Sequence, residues 1–336
     1  MVSSAVIFGP QEHRVTPWEK AFFRDVNPWG FILFARNVDS PGQLRRLTAD
    51  LRDTVGWQAP ILIDQEGGRV QRMRAPHWRE FLPALDQMRQ VSDLGRDPMR
   101  AQWLRNRLIA ADLHSVGIDV NCAPLADLVE PDTHPVLLNR LYGNDIATVV
   151  AAARACAAGL LAGGVLPVLK HIPGYGRAAV DSHHSLPRVS APFESLMTHD
   201  FAPFMALNDL AMGMTAHIVF DAIDPDHPAT TSAAAMGVIR ADLGFDGLIM
   251  TDDLSMQALS GTLASRAAGA LAAGCDLVLH CNGRPDEMTE VASAVPAMPP
   301  AALTRAARAL DQRKQPEHCD INALEAELKA LLSEVP

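Results

Sequence analysis

Short runs rich in Val, Ile and Leu recur along the chain, separated by longer segments dominated by Ala, Leu and Arg. Eight such runs can be picked out, at residues 2–8, 30–34, 60–63, 118–122, 165–169, 211–216, 247–251 and 276–280. A parallel strand packed inside and covered by a helix outside has no solvent face, so it reads as a continuous apolar run without alternation. Each run but the last leads into a loop containing Gly, Pro or Asp, and most loops lead into a helical pattern. Eight strands alternating with helices favour a closed (β/α)8 TIM-type barrel over an open sheet.

The helical patterns are clearest at residues 41–54, 98–116, 147–162, 232–243 and 255–273. Residues 301–310 and 321–332 read as closing helices. The Pro-rich stretch 295–300 lies near the end and separates only these last helices, so it reads as a connector inside one domain spanning residues 1–336. A chain of this length fits a single α/β barrel.

Composition excludes several classes. The net charge of −10 and the lack of any Lys/Arg stripe argue against nucleic acid as a partner. The first residues, MVSSAVIFGP, have no basic region and too short an apolar run for a secretory signal, so export is not expected. The apolar stretch 147–169 is interrupted by Arg154, Gly163-Gly164 and Pro167 and reads as a core helix followed by a buried strand, with no membrane span. Five cysteines without a C-x-x-C pair suit a reducing cytoplasm and argue against a zinc-thiolate site. No exposed apolar helix stands out, so a monomer is the default expectation.

In such a barrel, chemistry sits at the carboxyl ends of the strands. Charged residues crowd that position here. Asp64 follows "ILI", Lys170-His171 follows "LPVL", His217 follows "MTA", Asp252-Asp253 follows "LIMT", and Arg140 lies in the loop after the fourth strand. Asp64 has a plainer reading as a cap for the next segment, paired with Arg69 or Arg72. Gly67-Gly68 implies a turn that lets something approach closely, and Arg72 offers a fork of donors to hydroxyls or carboxylates. Of Asp252 and Asp253, only one is expected to face the mouth, with the other capping a helix that begins near Ser255. A carboxylate beside Lys170, Arg72 and Arg140 would stay ionised, as a nucleophile requires.

The stretch KHIPGYGRAAVDSHHSLP, residues 170–187, raises three chemistries. A phosphate cradle is not supported, because "GYGR" lacks the Gly-Lys-Ser/Thr of a P-loop. Asp181, His183 and His184 could ligate a metal, yet the H-x-H and H-E-x-x-H patterns of zinc hydrolases are absent. Proton transfer fits best: Asp181 stands two residues before His183 on a loop, where a carboxylate can hold one ring nitrogen and fix the tautomer. The plainer alternative is a surface His beside an unrelated Asp.

Together "IDQEGGRVQR" (residues 63–72), Asn139-Arg140, the 170–187 stretch and "GFDGLIMTDDLSM" (residues 244–256) resemble the bacterial β-N-acetylhexosaminidases of glycoside hydrolase family 3, of the single-domain, cytoplasmic, cell-wall-recycling type. The likeness extends over nearly the whole chain. It implies a retaining mechanism with Asp252 as nucleophile and His183, oriented by Asp181, as acid and base. It further implies that Asp64, Arg72, Arg140, Lys170 and His171 grip a terminal N-acetylglucosamine, taken from a muropeptide or a chitooligosaccharide-type substrate, with no cofactor or metal. The chain departs from the family at Tyr175, where members tend to have His, and at Ile172, where Phe is frequent. A phosphorylase of the same fold, a substrate-assisted mechanism, a metal-dependent barrel hydrolase and a sugar-binding protein without catalysis are the rival readings.

Overall fold

The computed structural model describes residues 3–178 and 186–333. Its main sheet is built from β1 (Ser4–Phe8), β2 (Pro28–Leu33), β3 (Ile61–Ile63), β4 (Val120–Asn121), β5 (Leu166–Pro167) and β6 (Leu169–Ile172). After a short strand β7 (Arg188–Val189) come β8 (Met212–Thr215), a second short strand β9 (Val219–Phe220), β10 (Leu248–Asp253) and β11 (Leu277–His280). The order is β5-β4-β3-β2-β1-β11-β10-β8-β6, and every pairing in it is parallel. Only Val168 separates β5, which pairs with β4, from β6, which pairs with β8. The two segments therefore occupy one strand position, and the sheet closes into the eight-position barrel that the apolar runs implied.

Alternation explains how one run serves two packings, because successive side chains on a strand point to opposite faces. Ala5, Ile7, Ile32, Leu62, Val120, Leu166, Val168, Met214, Met250 and Leu279 fill the barrel interior. Val6, Phe8, Phe31, Leu33, Ile61, Ile63 and Val278 point outward into the layer beneath the helices. Trp29 packs in the interior cluster with Met298, Ala302, Ala306 and Ala309, so the helix Pro300–Leu310 closes the amino-terminal end of the barrel. This matches the expected closing helix at 301–310.

Most expected helices form near their expected bounds: Pro41–Val55 with Ser40 as cap, Pro98–His114 with Asp97 as cap, Ile146–Ala162 with Asp145 as cap, and Ile321–Leu332. The helices Pro98–His114 and Ile146–Ala162 meet closely because of a glycine. A Cβ on Gly159 would lie 2.5 Å from the Trp103 carbonyl oxygen. Among the described residues no helix is long and apolar enough to cross a membrane.

Two helical expectations change. The pattern at 255–273 forms a helix only over Leu263–Ala273, capped by Thr262. Residues 232–243 split into Ala233–Gly237 and a wider-pitched turn, Val238–Asp242. The strand expected at 165–169 also runs on to Ile172, which carries Lys170 and His171 inside the sheet.

Candidate active site

At the carboxyl end of the barrel a cavity of about 290 Å3 is walled by residues from six of the sequence-derived candidates: Asp64, Arg72, Arg140, Lys170, His171 and Asp252. Asp181 and His183 lie outside the described residues. The cavity is completed by apolar side chains, among them Ile32, Phe34, Val136, Leu137, Tyr175 and Met256.

Its most buried feature is an ion cluster. Lys170, only 2% exposed, reaches Asp64 Oδ1 at 3.0 Å and Glu66 Oε1 at 2.7 Å. Arg140 donates to both Glu66 oxygens at 2.9 and 2.8 Å, a two-point clamp, and Arg72 lies 3.3 Å from Asp64 Oδ2. Burial alone pushes carboxyl groups up, but here the cations win. Lys170 and Arg72 hold Asp64 well below the usual carboxylate range. Arg140 and Lys170 hold Glu66 down at about 2. In turn burial works against the charged lysine, yet Asp64 and Glu66 raise Lys170 above its ordinary value.

The loop after β3 is set by its own side chains. Gln65 Oε1 accepts from the amides of Arg72 and Met73, while Asn121 at the end of β4 exchanges two hydrogen bonds with the Gln65 backbone. Gly67 and Gly68 do adopt positive φ, +93° and +60°. What approaches them is protein: a Cβ on Gly67 would collide with the Arg105 guanidinium, and one on Gly68 would lie 2.9 Å from Pro83 Cα. These glycines shape the loop that carries Asp64 and Glu66.

Asp252 is the penultimate residue of β10, with its Oδ1 accepting from the Asp253 amide at 2.7 Å. The cations expected beside it share the cavity wall but pair with Asp64 and Glu66, and among the described residues Asp252 forms no salt bridge. Asp253 also borders the cavity, contrary to the expectation that only one of the pair would. Its carboxylate accepts from the Ser255 amide, the Ser255 hydroxyl and the Cys281 amide, so it pins a turn and the end of β11 and caps no helix. His217 is buried behind this point, with Nε2 at 3.0 Å from the Asp253 carbonyl and Nδ1 at 2.7 Å from Thr230 Oγ1. Burial lowers its pKa.

Two carboxylates of this site were not singled out in the sequence. Glu66 lies inside a motif that was, and the only hint was its place two residues after Asp64. Asp127 lies in "CAPLADL" beyond β4 and gave no signal, because its partner is far along the chain. It is fully buried and sits 2.9 Å from His171 Nδ1, and it accepts the Tyr175 amide at 2.7 Å. The Lys170–His171 peptide is cis, and both side chains line the cavity. The Tyr175 ring packs at a tilt against the His171 ring, centroids 5.6 Å apart.

A carboxylate at a strand end, facing a small cavity with a pre-paired polar floor, is the arrangement of a barrel enzyme acting on a polar small molecule. Residues 18–309 match the model of the glycosyl hydrolase family 3 N terminal domain. The chain belongs to glycosyl hydrolase family 3. Family 3 membership makes it a glycoside hydrolase, and its relatives of known naming agree. It is 38% identical over 316 residues to the beta-hexosaminidase of Alkalilimnicola ehrlichii, covering 92% of this chain and 89% of that one. The beta-hexosaminidase of Bordetella avium is 36% identical over 295 residues, 86% and 83% of the two chains. Among solved structures, NagZ from Neisseria gonorrhoeae in complex with N-trifluoroacetyl-D-glucosamine superposes with a TM-score of 0.88 at 30% identity, covering 99% of each chain. The family 3 barrel is thus the fold of the whole chain.

Proposed function

We propose that this family 3 chain is a retaining exo-β-N-acetylglucosaminidase that removes terminal N-acetylglucosamine from muropeptides containing anhydro-N-acetylmuramic acid, in the cytoplasm, during peptidoglycan recycling. The observation that carries the reading is the cavity itself. At about 290 Å3 it lies at the small end of ligand sites, which run from roughly 300 to 1,000 Å3, and so suits one sugar unit. A cavity for one unit, closed below by Lys170, Glu66 and Arg140, favours cleavage from a chain end. The relatives named beta-hexosaminidase and the N-acylated glucosamine bound to the gonococcal NagZ support a hexosamine as that unit.

In this reading the Asp252 carboxylate attacks the anomeric carbon as the glycosidic C–O bond breaks, and His183, held by Asp181, gives its proton to the leaving oxygen. Water then attacks the same carbon while His183 takes a proton from it. The glycosyl-Asp252 ester breaks, and N-acetylglucosamine leaves with its β configuration retained. Most retaining enzymes use a second carboxylate where this chain offers the Asp181-His183 pair. Asp64, Arg72, Arg140, Lys170 and His171 hold the sugar hydroxyls.

The test is hydrolysis of an aryl β-N-acetylglucosaminide with excess chelator and no phosphate, followed by trapping with a 2- or 5-fluorinated substrate analogue. Expected are free N-acetylglucosamine and a covalent adduct on Asp252, with Asp252→Asn losing both. A sugar 1-phosphate formed only with phosphate would replace hydrolysis by phosphorolysis. Turnover without an adduct would remove Asp252 from the nucleophile's role.

A further inference from the structure

One buried carboxylate, Asp127, does not itself line the cavity, yet it decides what a cavity-lining ring can offer. Asp127 accepts three donors. Its Oδ1 takes the Tyr175 amide at 2.7 Å and the His171 amide at 3.4 Å. Its Oδ2 takes the His171 amide at 3.3 Å and lies 2.9 Å from His171 Nδ1. Both Asp127 oxygens already accept backbone N–H groups, and the carboxylate facing Nδ1 acts as an acceptor there too, so that ring nitrogen carries the proton. In a neutral imidazole the other nitrogen is then an acceptor.

We propose that Asp127 is a positioning residue that fixes His171 in the Nδ1–H tautomer, leaving Nε2 as a hydrogen-bond acceptor for a hydroxyl of the sugar in the cavity. The inference rests on the proposed sugar-binding role of the cavity. It adds a direction to one contact: His171 accepts, whereas Lys170, Arg72 and Arg140 beside it can only donate. A sugar hydroxyl both gives and takes a hydrogen bond, so a floor of donors alone would leave hydroxyl protons without acceptors among the cations. His171 Nε2 supplies an uncharged acceptor in the same cavity wall as the carboxylate Asp64, and an acceptor without charge adds no repulsion to Asp252.

The plain alternative is that Asp127 only ties the Gly-Tyr-Gly turn to the end of β6 through the two backbone amides. Asp127→Asn separates the two. An asparagine keeps one acceptor oxygen and presents an NH2 group in place of the other. The amides of His171 and Tyr175 cannot change their protonation, whereas the ring can move its proton from Nδ1 to Nε2. With the oxygen kept on Tyr175, the NH2 group donates to Nδ1 and the ring becomes the Nε2–H tautomer. Its acceptor is then turned away from the cavity.

The experiment is long-range 1H–15N correlation NMR of the imidazole of His171, assigned by its loss in His171→Gln, in the full-length chain at neutral pH. The wild type is expected to show a protonated Nδ1 and a bare Nε2 whose resonance moves when N-acetylglucosamine is added. Asp127→Asn is expected to show the reverse tautomer and a roughly tenfold lower kcat/KM on an aryl N-acetylglucosaminide, the scale of one neutral hydrogen bond. The NMR reading on the wild type stands even if the variant does not fold. A protonated Nε2 in the wild type, or an unchanged tautomer in a folded Asp127→Asn, overturns the assignment. A bare Nε2 that ignores N-acetylglucosamine overturns the placing of His171 in the sugar grip instead, and does so independently of whether the chain turns over substrate.

Discussion

At the bottom of the barrel, Asp119 is held by Arg52 at 2.9 Å and Arg313 at 2.8 Å, and Asp276 by Arg240 at 2.7 Å and Arg305 at 2.9 Å. At the mouth, Asp64 is held by Lys170 and Arg72, and Glu66 by Lys170 and Arg140. Both ends thus grip carboxylates between pairs of cations. The difference lies in what else the carboxylates do. Asp119 and Asp276 also accept a backbone amide from the start of a neighbouring strand, Ile61 and Ile249, and bind the sheet to the helices that cover it. Asp64 and Glu66 share one lysine, and Asp64, Lys170 and Arg140 open onto a cavity. Charged residues flanking a strand are therefore not a sign of chemistry by themselves; the end of the strand decides, as barrel architecture requires.

The sharpest way to break this comparison is to remove the shared cation. Lys170→Met leaves buried Glu66 and half-buried Asp64 close together with one arginine each. Deleting one partner of a buried ion pair costs about 3–5 kcal/mol. Denaturant unfolding is expected to show a loss of that order, and the folded fraction to have lost most of its kcat/KM. If Lys170→Met unfolds within about 1 kcal/mol of the wild type, the mouth cluster is not held as tightly as its geometry implies.

The matching change at the bottom separates stability from activity. Asp119→Ala leaves Arg52 and Arg313 facing one another, but both guanidinium groups touch solvent, which screens them. A smaller loss, about 1–3 kcal/mol, is expected, with kcat/KM per folded molecule unchanged within about twofold. A drop in kcat/KM as large as that of Lys170→Met would erase the distinction between the two ends.

The eight-strand barrel was readable because strands buried on both faces leave long apolar runs, and because Ser40-Pro41, Asp97-Pro98 and Asp145 announce helix starts in the usual way. What was misread has local physical causes. Polar Lys170 and His171 looked like the end of a strand; they continue it because Glu66, Asp64 and Asp127 meet them inside. Residues 255–262 look helical by composition, yet Asp253 bonds to the Ser255 amide and hydroxyl and holds a turn there. The helix Pro17–Val26 went unread although its signals are in the sequence: Thr16 and Glu19 form a capping box, and Trp18, Phe22 and Val26 recur four residues apart. Asp127 had to wait for the structure, since its partner His171 is 44 residues away and no spacing rule links them.

The smallest expected effect tests the buried His217 ring that bonds the Asp253 carbonyl. Burial disfavours the protonated form of His217 and lowers its pKa below the ordinary 6.5, so the unfolded chain takes up the proton first. The stability gained by keeping the ring neutral is therefore complete above pH 6.5 and is lost as pH falls below it, with a limiting slope of about 1.4 kcal/mol per pH unit for one proton. His114 and His280 are lowered by burial in the same direction and add to the slope. Glu66 enters only later, between its ordinary 4.5 and about 2, because a lowered carboxyl pKa stabilises above that range and fails within it. Unfolding free energy measured from pH 7.5 to 5 is expected to fall for the wild type and to fall less steeply for His217→Gln. An equal slope in both would assign the loss to His114 and His280. The ring behind Asp253 would then contribute nothing to the acid sensitivity of the fold.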